Sequence, residues 1–170
     1  MEYTTTYSSP LGLIILSSNG TELTGLWFEG QKYFARTLSL ENEPRDLLIF
    51  SNAKKWLDDY FSGKQPASQL PLSLNGTPFQ KEVWEILLQI PYGHTCAYGD
   101  IAKIIAAKHN QKSMSSQAVG GAVGRNPISI IVPCHRVLGA NKNLTGYAGG
   151  VQRKQHLLVL EGIQFNQNKI

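Results

Sequence analysis

The sequence has little that could cross-link the chain, anchor it in a membrane or direct it out of a cell. Cysteine occurs twice, as Cys96 and Cys134. That is too few for a disulfide scaffold and suits a reducing compartment such as the cytoplasm. No apolar run reaches the roughly 18 residues that a membrane-spanning helix needs, so no membrane partner is expected. The opening residues, Met1 to Thr6, have neither a basic flank nor an apolar stretch, and they do not read as a secretory signal. Internal repeats and low-complexity segments are also missing. His94, His109 and His156 fall at no zinc-ligand spacing from the cysteines, so neither a metal nor another cofactor is expected.

What is present is enough to fold. Of 170 residues, 42% are hydrophobic and 16% charged, which supports a packed core and excludes a disordered chain. The length suits one ordinary domain or two small ones. Charge divides unevenly within the net +4: residues 1–75 hold eight acids against six bases, and residues 76–170 hold four acids against ten bases. A basic second half attached to a mildly acidic first half points to contact with a polyanion, although a solvated basic surface would look the same.

The first half reads as short strands and turns. Tyr3 to Tyr7 is β-prone, Ser9-Pro10-Leu11-Gly12 turns the chain into Leu13 to Leu16, and Ser18-Asn19-Gly20 turns it again before Leu23 to Phe28. Ala53, Trp56, Leu57, Tyr60 and Phe61 then share one helical face, and Gly63 is a plausible stop. The stretch from Gly63 to Gly76, rich in Ser, Gln, Pro and Gly, reads as a linker.

Thr77-Pro78-Phe79-Gln80 marks a helix start, with an N-cap, proline at the first helical position and a capping-box partner three residues on. Phe79, Val83, Leu87 and Ile90 form its stripe, and Pro91-Tyr92-Gly93 ends it. A second helix is predicted from Tyr98 to Ala107 with Ile101, Ile104 and Ile105 inward. A third, capped by Ser115 or Ser116, covers Gln117 to Val123. The pair reads either as a helix-turn-helix or as a tightly packed core. Gly120 and Gly121 cost the third helix about 1 kcal/mol each relative to Ala, which suggests that something approaches it closely. Ile128 to Val132 is β-branched and predicted to be a buried strand that delivers Pro133-Cys134-His135-Arg136. A glycine-rich loop from Lys142 to Gly150 leads into a last helix from Val151 to Glu161, stopped by Gly162. Cys134 beside His135 and Arg136 is either a buried structural thiol or an activated nucleophile.

The segment Ile131-Val132-Pro133-Cys134-His135-Arg136-Val137 resembles the active-site motif of the O6-alkylguanine-DNA alkyltransferases. The resemblance continues through residues 77–84, Ile90-Pro91-Tyr92-Gly93, residues 97–102, residues 118–122, Arg125-Asn126-Pro127, residues 145–150, and Leu157-Leu158 through Glu161-Gly162. In all it covers about residues 77–162. Residues 1–75 are only compatible with that family's variable first domain.

The resemblance implies an α+β protein. A small α/β domain over residues 1–75, with a ribonuclease-H-like antiparallel sheet and a helix, would precede a mostly helical, winged helix-turn-helix-like domain over residues 76–170. The implied activity is direct-reversal DNA repair by a monomer that can cooperate along double-stranded DNA. The alkyl group on O6 of guanine (and on O4 of thymine) would pass irreversibly to Cys134 in a single turnover, after the base is flipped out through the minor groove. Extrusion costs a few kcal/mol, and proton donation to the departing base lowers the barrier. By position, His135 would act as base on Cys134, Glu161 would orient and charge the imidazole, Asn126 would hold the turn, and Tyr98 would donate a proton. Val132, Pro133, Tyr147, Ala148, Gly149 and Gly150 would shape the base pocket. Gln117, Ala118, Gly121, Ala122, Arg125 and Arg136 would meet DNA. Gln117 stands where the family usually has an arginine that fills the gap left by the base, so weaker DNA binding or slower flipping is expected, with the chemistry retained.

Two other functions stay open on the sequence. A non-catalytic lesion sensor resembles the family but lacks the cysteine, which is present here. A thiol hydrolase leaves the basic half and the small-residue helix without a purpose.

Overall fold

The computed structural model describes residues 1–167, so the last three residues of the predicted second domain lie outside it. The described chain forms two compact units.

The first unit comprises Met1–Asn75 with Pro127–Ser129. Strands β1 (Glu2–Ser9), β2 (Gly12–Ser18) and β3 (Leu23–Phe28) form an antiparallel meander. A short β4 (Asn42–Pro44) pairs parallel with β1 in the order β3-β2-β1-β4. The sheet is therefore mixed, not wholly antiparallel as expected, because the chain returns to the β1 edge in the same direction. The first tight turn is closed by Gly12 (φ +117°) and the second by Gly20 (φ +116°), conformations that glycine adopts without a side-chain clash. Helix α1 (Leu48–Phe61) buries Ile49, Phe50, Ala53, Leu57 and Tyr60. Trp56 and Phe61 sit at the margin of that face, and Trp56 stacks on Tyr60 at 5.5 Å. Pro127–Ser129 extends the β3 edge: the Leu26 amide donates to the Pro127 carbonyl and the Ser129 amide donates to the Leu26 carbonyl.

The second unit comprises Gly76–Asn126 and the chain from Ile130 onward. Helix α2 (Pro78–Leu87) has the full capping box, with the Gln80 amide donating to Thr77 Oγ1 and the Thr77 amide to Gln80 Oε1. It buries Val83, Trp84 and Leu87. After β5 (Cys96–Ala97), α3 (Tyr98–Lys108) buries Ile101, Ala102, Ile105 and Ala106. Ile104 was expected inward but is 49% exposed. At 100° per residue it lies well off the arc that the two alanines complete. Helix α4 (Ser116–Gly124) is capped by Ser115, whose Oγ accepts from the Ala118 amide. The Trp84 indole donates to the Ala122 carbonyl at 2.8 Å and ties α2 to α4. Beyond α4, β6 (Val137–Leu138) pairs parallel with β5, and α5 (Val151–Leu160) closes the unit by burying Lys154, Leu157 and Leu158.

The predicted strand at Ile128–Val132 does not form. Ile128 makes one isolated bridge to Leu26, and the chain then turns through Ile130 at φ +71°. The β-branched run is apolar because it is buried, not because it pairs in a ladder. A branched residue at positive φ is strained, and the surrounding packing holds it there.

Candidate active site

The turn that presents Cys134 is built from Asn126, Val132 and Pro133. Asn126 is buried, and its Nδ2 donates to the Val132 carbonyl at 2.8 Å. The Cys134 amide donates to the same carbonyl at 2.8 Å. Pro133, with φ −82° and ψ 62°, closes this as an inverse γ-turn, a geometry that its ring favours. Cys134–Arg136 then forms a single 3₁₀ turn. Val132 and Pro133 are buried and their carbonyls are engaged within the chain, so they shape the turn.

Cys134 is 4% exposed. Burial pushes its thiol pKa up; hydrogen bonding from Asn126, the nearby Lys154 charge and the Tyr147 hydroxyl pull the other way without overcoming it. The sulfur is thus stored as a thiol and needs a base to become a nucleophile.

His135 and Glu161 meet across the unit, with Nε2 of the imidazole 2.6 Å from Oε2 and both side chains fully buried. Glu161 Oε1 accepts from Arg136 Nε at 2.8 Å and from the Gly93 amide at 3.0 Å. Burial alone would raise the Glu161 pKa, but the hydrogen bonds and charges of His135 and Arg136 prevail and hold it at about 2. Burial pushes the His135 pKa down despite the carboxylate, which keeps the imidazole neutral and able to accept a proton near pH 7. Arg136, expected at the DNA surface, is only 8% exposed. Its Nε serves Glu161, and its Nη1 donates to the Ile90 carbonyl at 2.8 Å. Its guanidinium braces the carboxylate from inside.

On the sequence Lys154 reads either as a contact to the pocket or DNA or as a solvated lysine, and the structure places it inside. It is completely buried, with Nζ donating to the Val137 carbonyl at 2.7 Å, Thr145 Oγ1 at 3.0 Å and the Gly146 carbonyl at 3.3 Å. Burial lowers its pKa to about 8, opposed by Cys134. The sequence signal was slight, a lysine at the i−3 and i−4 positions of the apolar pair Leu157-Leu158. Tyr98, at the start of α3, reaches Thr145 Oγ1 at 3.0 Å. Burial raises its phenol pKa, which keeps the proton in place at neutral pH. Tyr147 and Ala148 are half-buried, and the loop closes through the Gly150 amide on the Tyr147 carbonyl, with Gly150 at φ +96°. Gly149 is buried, and its carbonyl accepts from Arg153.

The outer face of α4 presents Gln117, Ala118, Gly121 and Arg125, while Val119, Ala122 and Val123 face inward. Ala122, expected to touch DNA, is 4% exposed and belongs to the core. A methyl group added at Gly121 would meet only Arg125 Nη1 at an ordinary 3.5 Å, and one at Gly120 only the Tyr98 ring at 3.8 Å. Packing within the chain therefore does not demand either glycine. Among the described residues no group of three His, Cys, Asp or Glu is placed to hold a metal ion, and no helix is long and apolar enough to cross a membrane.

Residues 78–163 match the model of the 6-O-methylguanine DNA methyltransferase DNA binding domain, and residues 2–74 match that of the same family's ribonuclease-like domain. The chain is 45% identical over 156 residues to a methylated-DNA–protein-cysteine methyltransferase of Mycobacterium tuberculosis, covering 92% of this chain and 90% of that one. A protein with the same name from Methanosarcina acetivorans is 46% identical over 162 residues, covering 94% and 98%. The crystal structure of M. tuberculosis OGT in complex with DNA superposes with a TM-score of 0.81 at 45% identity, over 94% of this chain and 92% of that one.

Proposed function

Because the chain belongs to the methylated-DNA–protein-cysteine methyltransferase family, we propose that Cys134 is the acceptor through which it repairs alkylated DNA. The family's reaction is direct reversal, in which an alkyl group leaves O6 of guanine in DNA for a cysteine of the protein, once per molecule. The chain binds double-stranded DNA. We assign residues 76–170 the DNA-binding and acceptor work, read the protein as a monomer that can cooperate along DNA, and place it in the cytoplasm, where a reducing milieu keeps the thiol free.

The observation that carries the residue assignment is the buried run from Glu161 through His135 to the neighbouring Cys134. His135 takes the thiol proton through an intervening water, and Glu161 steadies the imidazolium that forms. The thiolate attacks the alkyl carbon in line with O6. Tyr98 gives its proton to the departing guanine, so the leaving group departs neutral. The exposed face of α4 (Gln117, Ala118, Gly121 and Arg125) meets the duplex, and the loop Tyr147–Gly150 covers the extruded base. The test is mass spectrometry after incubation with a duplex bearing O6-methylguanine. One methyl should appear on the peptide containing Cys134, with one repaired duplex per protein molecule. An unmarked Cys134 alongside tight binding would favour a lesion sensor instead.

Two further results are expected. Burial keeps the His135 pKa below its ordinary 6.5, so the single-turnover rate should fall as pH is lowered below about 6.5 and the base becomes protonated. Gly121→Ala should stabilise the isolated protein by about 1 kcal/mol, read as a higher melting temperature. The same change should weaken duplex binding, because the added methyl occupies the space through which the backbone approaches DNA. Unchanged affinity would remove α4 from the interface.

A further inference from the structure

We propose that Thr145 is a positioning residue that couples the Lys154 ammonium to the Tyr98 phenol, so that Tyr98 can release its proton at the moment of alkyl transfer. The inference rests on the reading above and deepens it.

Lys154 has three N–H donors, no lone pair and three acceptors: the carbonyls of Val137 and Gly146, and Thr145 Oγ1. Its charge meets no carboxylate ion pair among the described residues. Thr145 Oγ1 must therefore accept from Lys154, which leaves it one lone pair and one proton. Tyr98 Oη lies 3.0 Å from the same oxygen, 47 residues away in sequence. At rest either hydroxyl can be the donor. Once the phenol proton has gone, a single arrangement remains: Lys154 donates to Thr145, and Thr145 donates to the phenolate. Only a rotation about the Thr145 C–O bond separates the two states.

The hydroxyl is held for this. Thr145 is β-branched and stiff about χ1, and its methyl is seated against Gly139, where an added Cβ would come within 3.1 Å of it. Gly139 has an ordinary φ of −75°, so its small size serves the space Thr145 needs.

The step balances without a co-reactant. The thiolate pair forms the S–C bond, and the C–O6 pair leaves with guanine. The thiol proton goes to His135 and the Tyr98 proton to the departing base. The imidazolium proton then restores the phenol through solvent.

The test uses Thr145→Val, which keeps the shape without the hydroxyl, and Thr145→Ser, which keeps the hydroxyl. Tyrosine ring carbons are labelled, and the Tyr98 resonance, assigned with Tyr98→Phe, is titrated by NMR on the free protein. Thr145→Val should raise the Tyr98 titration by about one pH unit or more, while Thr145→Ser leaves it near the wild type. In single-turnover repair of a duplex bearing O6-methylguanine, Thr145→Val should slow transfer about tenfold at saturating DNA with the half-saturating concentration unchanged. It should have no further effect in a Tyr98→Phe background. An unmoved Tyr98 titration, or the same slowing in the Tyr98→Phe background, overturns the proposal. If the wild type transfers nothing, the functional reading fails, while the titration still decides the role of Thr145.

Discussion

Replacing Cys134 by alanine is expected to end alkyl transfer completely while leaving duplex binding intact. On the proposed reading this sulfur accepts the group, and the other cysteine is engaged elsewhere: Cys96 lies in β5, half-buried, with its thiol directed at the Ala97 carbonyl. Serine should be equally inactive, since displacement at a saturated carbon calls for a soft thiolate, and a hydroxyl ionises far less readily than a thiol. Binding should persist because the α4 face proposed to meet DNA is untouched. The fold should lose no more than about 1 kcal/mol, because the site is small and already closed by Asn126 and Tyr147. The measurement pairs transfer of a labelled methyl group with a gel-shift titration. Residual transfer by the alanine variant would move the acceptor elsewhere.

The second large effect lies at Glu161. Its two oxygens serve His135, Arg136 and the Gly93 amide, so Glu161→Ala leaves a buried guanidinium with the Ile90 carbonyl as its remaining named acceptor. That should cost about 3–5 kcal/mol of stability by denaturant unfolding. Glu161→Gln separates folding from chemistry. The amide fills the same space and can still accept from Arg136, but its NH₂ group facing His135 would require Nε2 to be the acceptor. The ring proton then sits on Nδ1, and the imidazole becomes the wrong tautomer to act as a base through that nitrogen. The transfer rate should fall by about 10²-fold or more with the fold retained.

Acid should reveal the same carboxylate. A folded-state pKa of about 2 against an ordinary 4.5 contributes stability that is fully present above about 4.5 and is lost as pH falls toward 2. The wild type should lose on the order of 2–3 kcal/mol across that window, and Glu161→Gln much less of it. An equal acid loss in both would mean that other groups set the acid sensitivity.

Much of the molecule could be read from neighbouring residues alone. The capping box at Thr77 and Gln80, the proline at the first position of α2 and the stop at Gly162 follow from rules that act over a few residues. Pro133-Cys134-His135-Arg136 marked out a candidate nucleophile, and the charge asymmetry pointed to a polyanion or a solvated basic surface. Such rules also misled where burial and pairing look alike: Ile128 to Val132 is apolar and branched as a strand would be, yet it turns at Ile130. Ile104 is apolar yet exposed, because the neighbouring alanines fill the inner arc of α3.

The tertiary structure alone decided where the long side chains end. Arg136 turned from the expected DNA surface to Glu161, 25 residues away, and Lys154 went inside to three acceptors, two of them on the loop that precedes α5. Thr145 became the meeting point of Lys154 and Tyr98. The physical reason is that a charged side chain stays buried only where all of its donors find acceptors. Those acceptors come from segments far apart in the chain, so no local pattern announces them before the helices pack.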